Sequence, residues 1–238
     1  MSNKISKFVK DFSYKNGIYL YEENIDISSE QNFESIAREK RYQVINKILN
    51  NGGFSHALTA HHNNDQIETI FMKNEDGSDW ISMIGIRESL GKIKRPMLDI
   101  SKDEIRNYAL KHCIEWIEDP SNQNMSFRRN YVRSVKLPIS ISNNPNTVSQ
   151  LLKIHTESIL KYKRTCKNFK NNYKKIIINY NSEKIVISKW KFIQYEIEEI
   201  KIFFYLYINK LLNTEIQKQS KGLWAQFNKF INNSRTGS

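Results

Sequence analysis

Cysteine is almost missing from this chain: its 238 residues hold two, Cys113 and Cys166, in different surroundings and in no CxxC pair. That argues against a disulfide framework and against a cysteine-built zinc site, and it fits a reducing compartment. Long apolar runs are missing too. The most apolar stretch, residues 200–212, is broken by lysines and too short to span a bilayer. Residues 1–15 are charged throughout and lack the apolar centre of a signal peptide. The expectation is a soluble cytoplasmic protein with no membrane role. Adjacent glycines occur once, at Gly52-Gly53, where they read as a helix stop.

What the chain has in excess is positive charge, +12 with a pI near 9.5. A polyanionic partner, nucleic acid or a membrane surface, is one reading. The abundance of Lys, Asn and Ile also fits an AT-rich coding sequence, so charge alone does not choose. The length suits one large domain or two small ones.

Apolar spacing predicts a helix over residues 2–15, closed by Gly17, and β-branched and aromatic residues predict a strand over 18–27. A helix over 32–49, a buried strand over 54–60 and a helix over 64–73 follow. A loop covers 74–79, a strand 92–96 and a helix 101–112, where Ser101 and Glu104 have the capping-box pattern. This alternation predicts an α/β domain with a parallel sheet, whose ligands bind beyond the carboxyl ends of the strands. Residues 140–146, rich in Ser, Asn and Pro, read as a linker. Beyond them a basic helix is predicted over 147–173, a strand pair over 174–188 and a helix over 190–212. Trp116 reads as a core residue. The basic run 161–175, with Tyr162, Phe169 and Tyr173, fits either an RNA grip or a solvated helix face.

The densest chemistry lies in Leu58-Thr59-Ala60-His61-His62-Asn63-Asn64-Asp65-Gln66-Ile67-Glu68-Thr69. His61, Asp65 and Glu68 sit at offsets of four and three, which stacks them on one face if the segment is helical. One imidazole and two carboxylates past a strand end could hold a metal or polarise a substrate. The plainer alternative is a histidine loop followed by acids favoured at a helix N-terminus. A metal-dependent hydrolase built on these three is a further reading with no other support.

Other motifs flank this one. Glu34-Ser35-Ile36-Ala37-Arg38-Glu39-Lys40-Arg41-Tyr42 precedes it. Arg95-Pro96-Met97-Leu98-Asp99, Trp116-Ile117-Glu118-Asp119-Pro120 and Arg128-Arg129-Asn130-Tyr131-Val132-Arg133 follow. In order and spacing, over roughly residues 5–140, the set resembles the bacterial tRNA(Ile)-lysidine synthases of the PP-loop ATP pyrophosphatase group.

The resemblance implies an adenine-nucleotide alpha hydrolase-like fold, an incomplete doubly wound parallel sheet over residues 1–140, and a mainly helical tRNA-contacting domain over 147–238. It implies ATP and Mg2+ as cofactors, with free lysine and a tRNA(Ile) bearing a CAU anticodon as substrates. ATP would activate C2 of the wobble cytidine, and the lysine ε-amine would displace AMP to leave lysidine. By carry-over His61, Asp65 and Glu68 are catalytic. His61 would stabilise developing charge; Asp65 and Glu68 would orient the amine or contribute to magnesium binding, Asp65 being the metal candidate. Arg38 would face the nucleotide, Ala37 and Tyr42 would pack, and Arg128, Arg129 and Arg133 would contact tRNA phosphates. Glu118 and Asp119 either bind the substrate lysine or pair with Arg129.

Three departures stand out. The family's Ser-Gly-Gly-x-Asp-Ser loop, whose amides cradle pyrophosphate, does not occur in this sequence. Asn64 replaces a first aspartate, and Asp76-Gly77-Ser78-Asp79 stands where an Arg-Gly-Ser-Gly loop is typical. The expectations are a chain truncated at the N-terminus, with Arg235-Thr236-Gly237-Ser238 reading as an interruption, a split subunit whose partner chain supplies the loop, or a decayed tRNA-binding remnant without chemistry. By itself such a chain is expected to be inactive and poorly stable.

Overall fold

A computed structural model describes residues 3–27, 33–181, 184–208 and 221–233. The chain forms two compact units. The first joins Met1–Glu75 to Gly85–Leu151; the second joins Asp76–Ile84 to Leu152–Ser238.

In the first unit, α1 (Asn3–Lys15) and α2 (Phe33–Asn51) precede a small sheet of β1 (Ala57–Leu58), β2 (Ser89–Leu90) and β3 (Ile93–Lys94). Strand order is β1-β3-β2, with β1 parallel to β3 and β2 antiparallel to it. The parallel pair is held by Ala57 N–H donating to Lys92 O (3.0 Å) and Thr59 N–H donating to Lys94 O (2.9 Å). Between the strands lies α3 (Asn63–Glu75); after them comes α4 (Lys102–Lys111). The expected capping box is present at α4: Ser101 Oγ accepts from Glu104 N–H and Glu104 Oε2 accepts from Ser101 N–H. Beyond it, α5 (Arg128–Tyr131) passes through one π-turn, Val132–Lys136, into α6 (Leu137–Asn143). Ile70 and Val132 are wholly buried, with Leu49, Phe71, Ile93 and Leu98 close to it.

The second unit holds most of α7 (Thr147–Ile176), the hairpin of β4 (Ile177–Tyr180) and β5 (Ile185–Ile187), α8 (Lys189–Phe192), α9 (Ile197–Phe203) and α10 (Lys221–Asn233). Its core is aromatic: Phe169, Phe192, Phe203 and Trp224 pack with Ile176, Ile200 and Ile202. Along α7 the buried positions 151, 158, 165, 169 and 176 fall on one stripe, which leaves its lysines on the other faces. Asp79 accepts from Ser82 N–H (3.0 Å) and pairs with Lys201 at 3.4 Å, so its carboxylate ties residues 76–84 into this unit.

Several sequence expectations change here. Residues 18–27 pair with no strand among the described residues. Strand-forming side chains cannot make a strand without a ladder partner, and the segment is instead tied down by side chains, Lys10 to Glu22 (2.6 Å) and Lys40 to the Asp26 carbonyl. The strand expected over 54–60 narrows to Ala57–Leu58. Residues 140–143 are helical and not linker; Asn144 N–H and Thr147 Oγ1 both donate to Ser140 O. The helix expected over 190–212 is two, because Glu196 and Glu199 form a second capping box that starts α9 afresh. Its last residues, 209–212, and residues 235–238 lie outside those described. No helix among the described residues is long and apolar enough to cross a membrane.

Ile70→Ala, at a wholly buried position on α3, is expected to lower unfolding free energy by about 2–5 kcal/mol. Leu58→Ala, at a site 70% exposed, should change it by less than about 0.5 kcal/mol. Urea titration of both variants checks the difference.

Candidate active site

The first turn of α3 is organised by its own acid. His62 is the residue before the helix, and its N–H donates to Asp65 Oδ2 at 2.9 Å, as a third-position acid does in half of a capping box. Next door, Asn64 Oδ1 accepts from Lys102 N–H (2.8 Å), joining the start of α3 to the start of α4. Asn64 thus does structural work at the position read as a lost acid. Gln66, 5% exposed, turns its amide on Ile86: Ile86 N–H donates to Oε1 (2.6 Å) and Nε2 donates to Ile86 O (3.2 Å). Gly85 makes room for this clamp. Its φ is +63°, and a Cβ there would lie 2.7 Å from Gln66 Oε1.

One turn on, Glu68 is 2% exposed and flanked by two guanidinium groups from the distant basic motif. Arg129 Nε donates to Glu68 Oε2 (2.8 Å), while its Nη2 donates to Asp65 Oδ1 (3.0 Å) and Asp65 O (3.2 Å). Arg133 Nε donates to Glu68 Oε1 (2.6 Å) and its Nη2 to Glu68 Oε2 (3.0 Å). The hydrogen bond to Glu68 lifts Arg133 above the ordinary arginine value, against the opposing effect of burial. Two cations and two anions therefore balance inside a part-buried cluster, the arrangement a buried acid requires.

His61 lies just before the helix with Nδ1 3.0 Å from Thr59 Oγ1. Burial is the main cause that holds its pKa below the usual imidazole value; Asp65 pulls upward, and Arg95, Arg38 and Arg129 push further down. His61 is thus a neutral imidazole in a positive field at neutral pH. Arg95, from the end of β3, is 4% exposed.

The structure therefore brings Asp65, Glu68, Arg129 and Arg133 into one cluster, with His61 and Arg38 beside it electrostatically. Other candidates fall elsewhere. Arg128 turns to the end of α3, at Met72 O (3.4 Å) and Glu75 (3.8 Å). Glu118 pairs with Arg106 at 2.7 Å and not with Arg129, and Asp119 caps a short turn by accepting from Ser121 N–H. Trp116 is 45% exposed and so is not a core residue; it lines an open apolar groove with Phe8, Leu110, Cys113 and Ile114, in a stretch with no regular structure to pack it. The one-face stacking of His61, Asp65 and Glu68 also needs correction. His61 precedes the helix and faces Thr59, while Glu68 is enclosed by arginines. Among the described residues no three His, Cys, Asp or Glu side chains are grouped to hold a metal ion.

The sequence reading gave Arg95 no role and Tyr42 a packing role alone. Tyr42 Oη accepts from Arg95 Nη2 (2.9 Å) and from Arg38 Nη2 (3.2 Å), linking two motifs read separately. The available signal was an arginine at a strand end before a proline.

A family model described as a PP-loop domain matches residues 1–139. The chain belongs to the PP-loop domain family. It is 37% identical over 158 residues to a tRNA(Ile)-lysidine synthase of Wigglesworthia glossinidia brevipalpis, covering 63% of this chain and 39% of that protein. A tRNA(Ile)-lysidine synthase of Lactiplantibacillus plantarum is 39% identical over 124 residues, 50% of this chain and 27% of that one. The Bifunctional protein TilS/HprT of Listeria monocytogenes is 34% identical over 164 residues, 65% and 25%. The chain thus spans between a quarter and two fifths of these relatives.

Two outcomes test the electrostatics. Glu68→Ala is expected to cost about 3–5 kcal/mol by taking from Arg133 its close acid and from Arg129 one of two, whereas Lys136→Ala, which breaks an outer pair with Glu75, should cost less than about 1 kcal/mol; denaturant unfolding checks both. His61 titrates lower folded than unfolded, so its contribution to stability is complete above the ordinary value of 6.5 and is lost as pH falls through the folded one. Between pH of about 7 and about 5 the wild type should therefore lose more stability than His61→Asn.

Proposed function

We propose that this chain is part of a tRNA(Ile)-lysidine synthase, which joins lysine to C2 of the wobble cytidine of tRNA(Ile) at the expense of ATP, and that it is inactive by itself. The observation that supports this reading is the meeting of Asp65 and Glu68 with Arg129 and Arg133, more than sixty residues away, beside His61. Two motifs of the lysidine synthase pattern converge there, at the end of the β1 strand, where ligands of such sheets bind.

The residues fit an ATP polyphosphate in part. Arg38, Arg95 and Arg129 surround His61 with positive charge, which suits phosphate oxygens. The glycine-rich loop has no counterpart in this sequence. Magnesium is not matched by a protein ligand set among the described residues, so no step is assigned to it.

Within this reading the roles shift from those the resemblance implied. Glu68 acts through Arg129 and Arg133, fixing where their guanidinium groups point. Asp65 shares its Oδ1 with Arg129, so that oxygen is the acceptor an incoming ammonium competes for. His61, held neutral, would take up a proton released when an amine attacks, and charge stabilisation would fall to the arginines. tRNA remains the macromolecular substrate, with Arg128 and the lysine faces of α7 as its phosphate contacts. The alternative is a non-catalytic or split-subunit tRNA-binding remnant, in which the same ion cluster is purely structural.

A fusion placing this chain behind a segment with the Ser-Gly-Gly-x-Asp-Ser loop is expected to form lysidine in tRNA(Ile), given ATP, Mg2+ and lysine. Nucleoside mass spectrometry reads the product. Asp65→Ala in that fusion is expected to lower the rate about a hundredfold or more. A folded fusion that binds ATP and tRNA yet leaves the cytidine unmodified favours the remnant.

A further inference from the structure

We propose that His62 is a positioning residue for Asp65: its ring closes one side of the Asp65 carboxylate, so that the other oxygen is the one offered to an amine. This deepens the reading above and rests on it for the amine alone.

The two oxygens of Asp65 have separate surroundings. Oδ1 accepts from Arg129 Nη2 at 3.0 Å and lies 3.8 Å from Arg133 Nη2. Oδ2 accepts from the His62 N–H at 2.9 Å and faces the His62 ring, whose Nε2 is 3.6 Å away. Both side chains are mostly covered, His62 being 18% exposed and Asp65 15%. Any residue but proline supplies the backbone N–H; the ring nitrogen on the same oxygen comes from histidine.

The ring's own hydrogen bonding is incomplete. Its Nδ1 is buried and has no partner, a condition that asks for a reason. Of the two neutral tautomers, the one with its proton on Nδ1 would bury a donor with no acceptor and turn a lone pair on the carboxylate. The other aims the proton on Nε2 at Oδ2 and leaves only an acceptor unmet. The geometry selects Nε2–H, so the ring serves Asp65 at the expense of its second nitrogen.

At 3.6 Å the ring contact is longer than a formed hydrogen bond and acts by charge and bulk. Turning the carboxylate away from His62 would leave both the backbone N–H and the ring N–H without their acceptor. Asp65 therefore keeps one orientation even when Oδ1 changes partner. Arg129 can give up Oδ1 without coming loose, because its Nε holds Glu68 Oε2 at 2.8 Å and its Nη2 also reaches Asp65 O at 3.2 Å. An ammonium arriving at Oδ1 meets an acceptor already in place, the preorganisation that a positioned nucleophile needs.

Glutamine and methionine at position 62 separate the donor from the packing: they are close in shape, and only glutamine carries an N–H to stand in for Nε2. In the full 238-residue chain, three-bond NMR couplings across the Asp65 χ1 bond read its rotamer. One rotamer is expected in the wild type and in His62→Gln, and averaging in His62→Met; His62→Leu replaces the last if it does not fold. Ring nitrogen NMR shifts of the wild type at pH of about 8, above the ordinary imidazole value, are expected to place the His62 proton on Nε2. A proton on Nδ1, averaging in the wild type, or a single Asp65 rotamer in the folded apolar variant overturns the proposal. In the fusion described above, His62→Met is expected to raise KM for lysine about tenfold with kcat changed less than about twofold, and His62→Gln to restore it; an unchanged KM in an active fusion overturns the proposal. An inactive fusion with the expected coupling pattern removes the lysidine reading and leaves the positioning; an active fusion with Asp65 unmoved in the apolar variant does the reverse.

Discussion

The buried carboxylate of Glu68 is the constraint on which the first unit turns. A carboxylate that is 2% exposed cannot stay ionised without close cations, and the chain supplies two from residues more than sixty positions later. Those bonds fix α3 against the helix that begins at Arg128. They also fix the rotamers of Arg129 and Arg133, since each guanidinium makes two or more directed bonds to acids of α3. A π-turn at Val132–Lys136 lies in this same stretch, with Val132 wholly buried inside it. The irregularity of the helix and the ion cluster belong to one packing solution.

Around that cluster, short polar contacts replace what a larger sheet would supply. The parallel pairing spans only Ala57–Leu58 and Ile93–Lys94, too little to position a site by itself. Asn64 reaching Lys102 N–H, Gln66 clamping Ile86 and Arg95 reaching both Arg87 O and Tyr42 make up the difference. Each satisfies backbone or buried polar groups and, in doing so, sets the geometry of the rim. The second unit is built on a different principle, an aromatic core with rings 4.7–6.4 Å apart.

Charge at the rim is uneven in a way the overall figure of +12 does not reveal. Where Arg129 and Arg133 lie, acids balance them. Where Arg38 and Arg95 lie, the acceptors among the described residues are a phenol and a carbonyl. A neutral His61 marks the boundary, its proton affinity reduced by burial and by the cations on one side while Asp65 opposes them.

Local physics was readable in the sequence. Amphipathic spacing gave α1, the Ser101–Glu104 pair gave the start of α4, and the order of motifs gave the PP-loop family. Such features depend on neighbours within a few residues, or on matching a pattern. Tertiary structure alone decided the rest. Residues 18–27 form no ladder because pairing needs a partner strand, and none is present among the described residues; residues 140–143 stay helical because Ser140 O collects two donors; Trp116 stays 45% exposed because its own stretch has no regular structure to pack it. Most of all, spacing placed two acids on a helix but could not say which of them a distant arginine pair would enclose, nor that Arg95 would be buried with no acid paired to it among the described residues. Ion pairing in a low-dielectric interior is settled by which groups meet across the fold, and a linear sequence does not carry that distance.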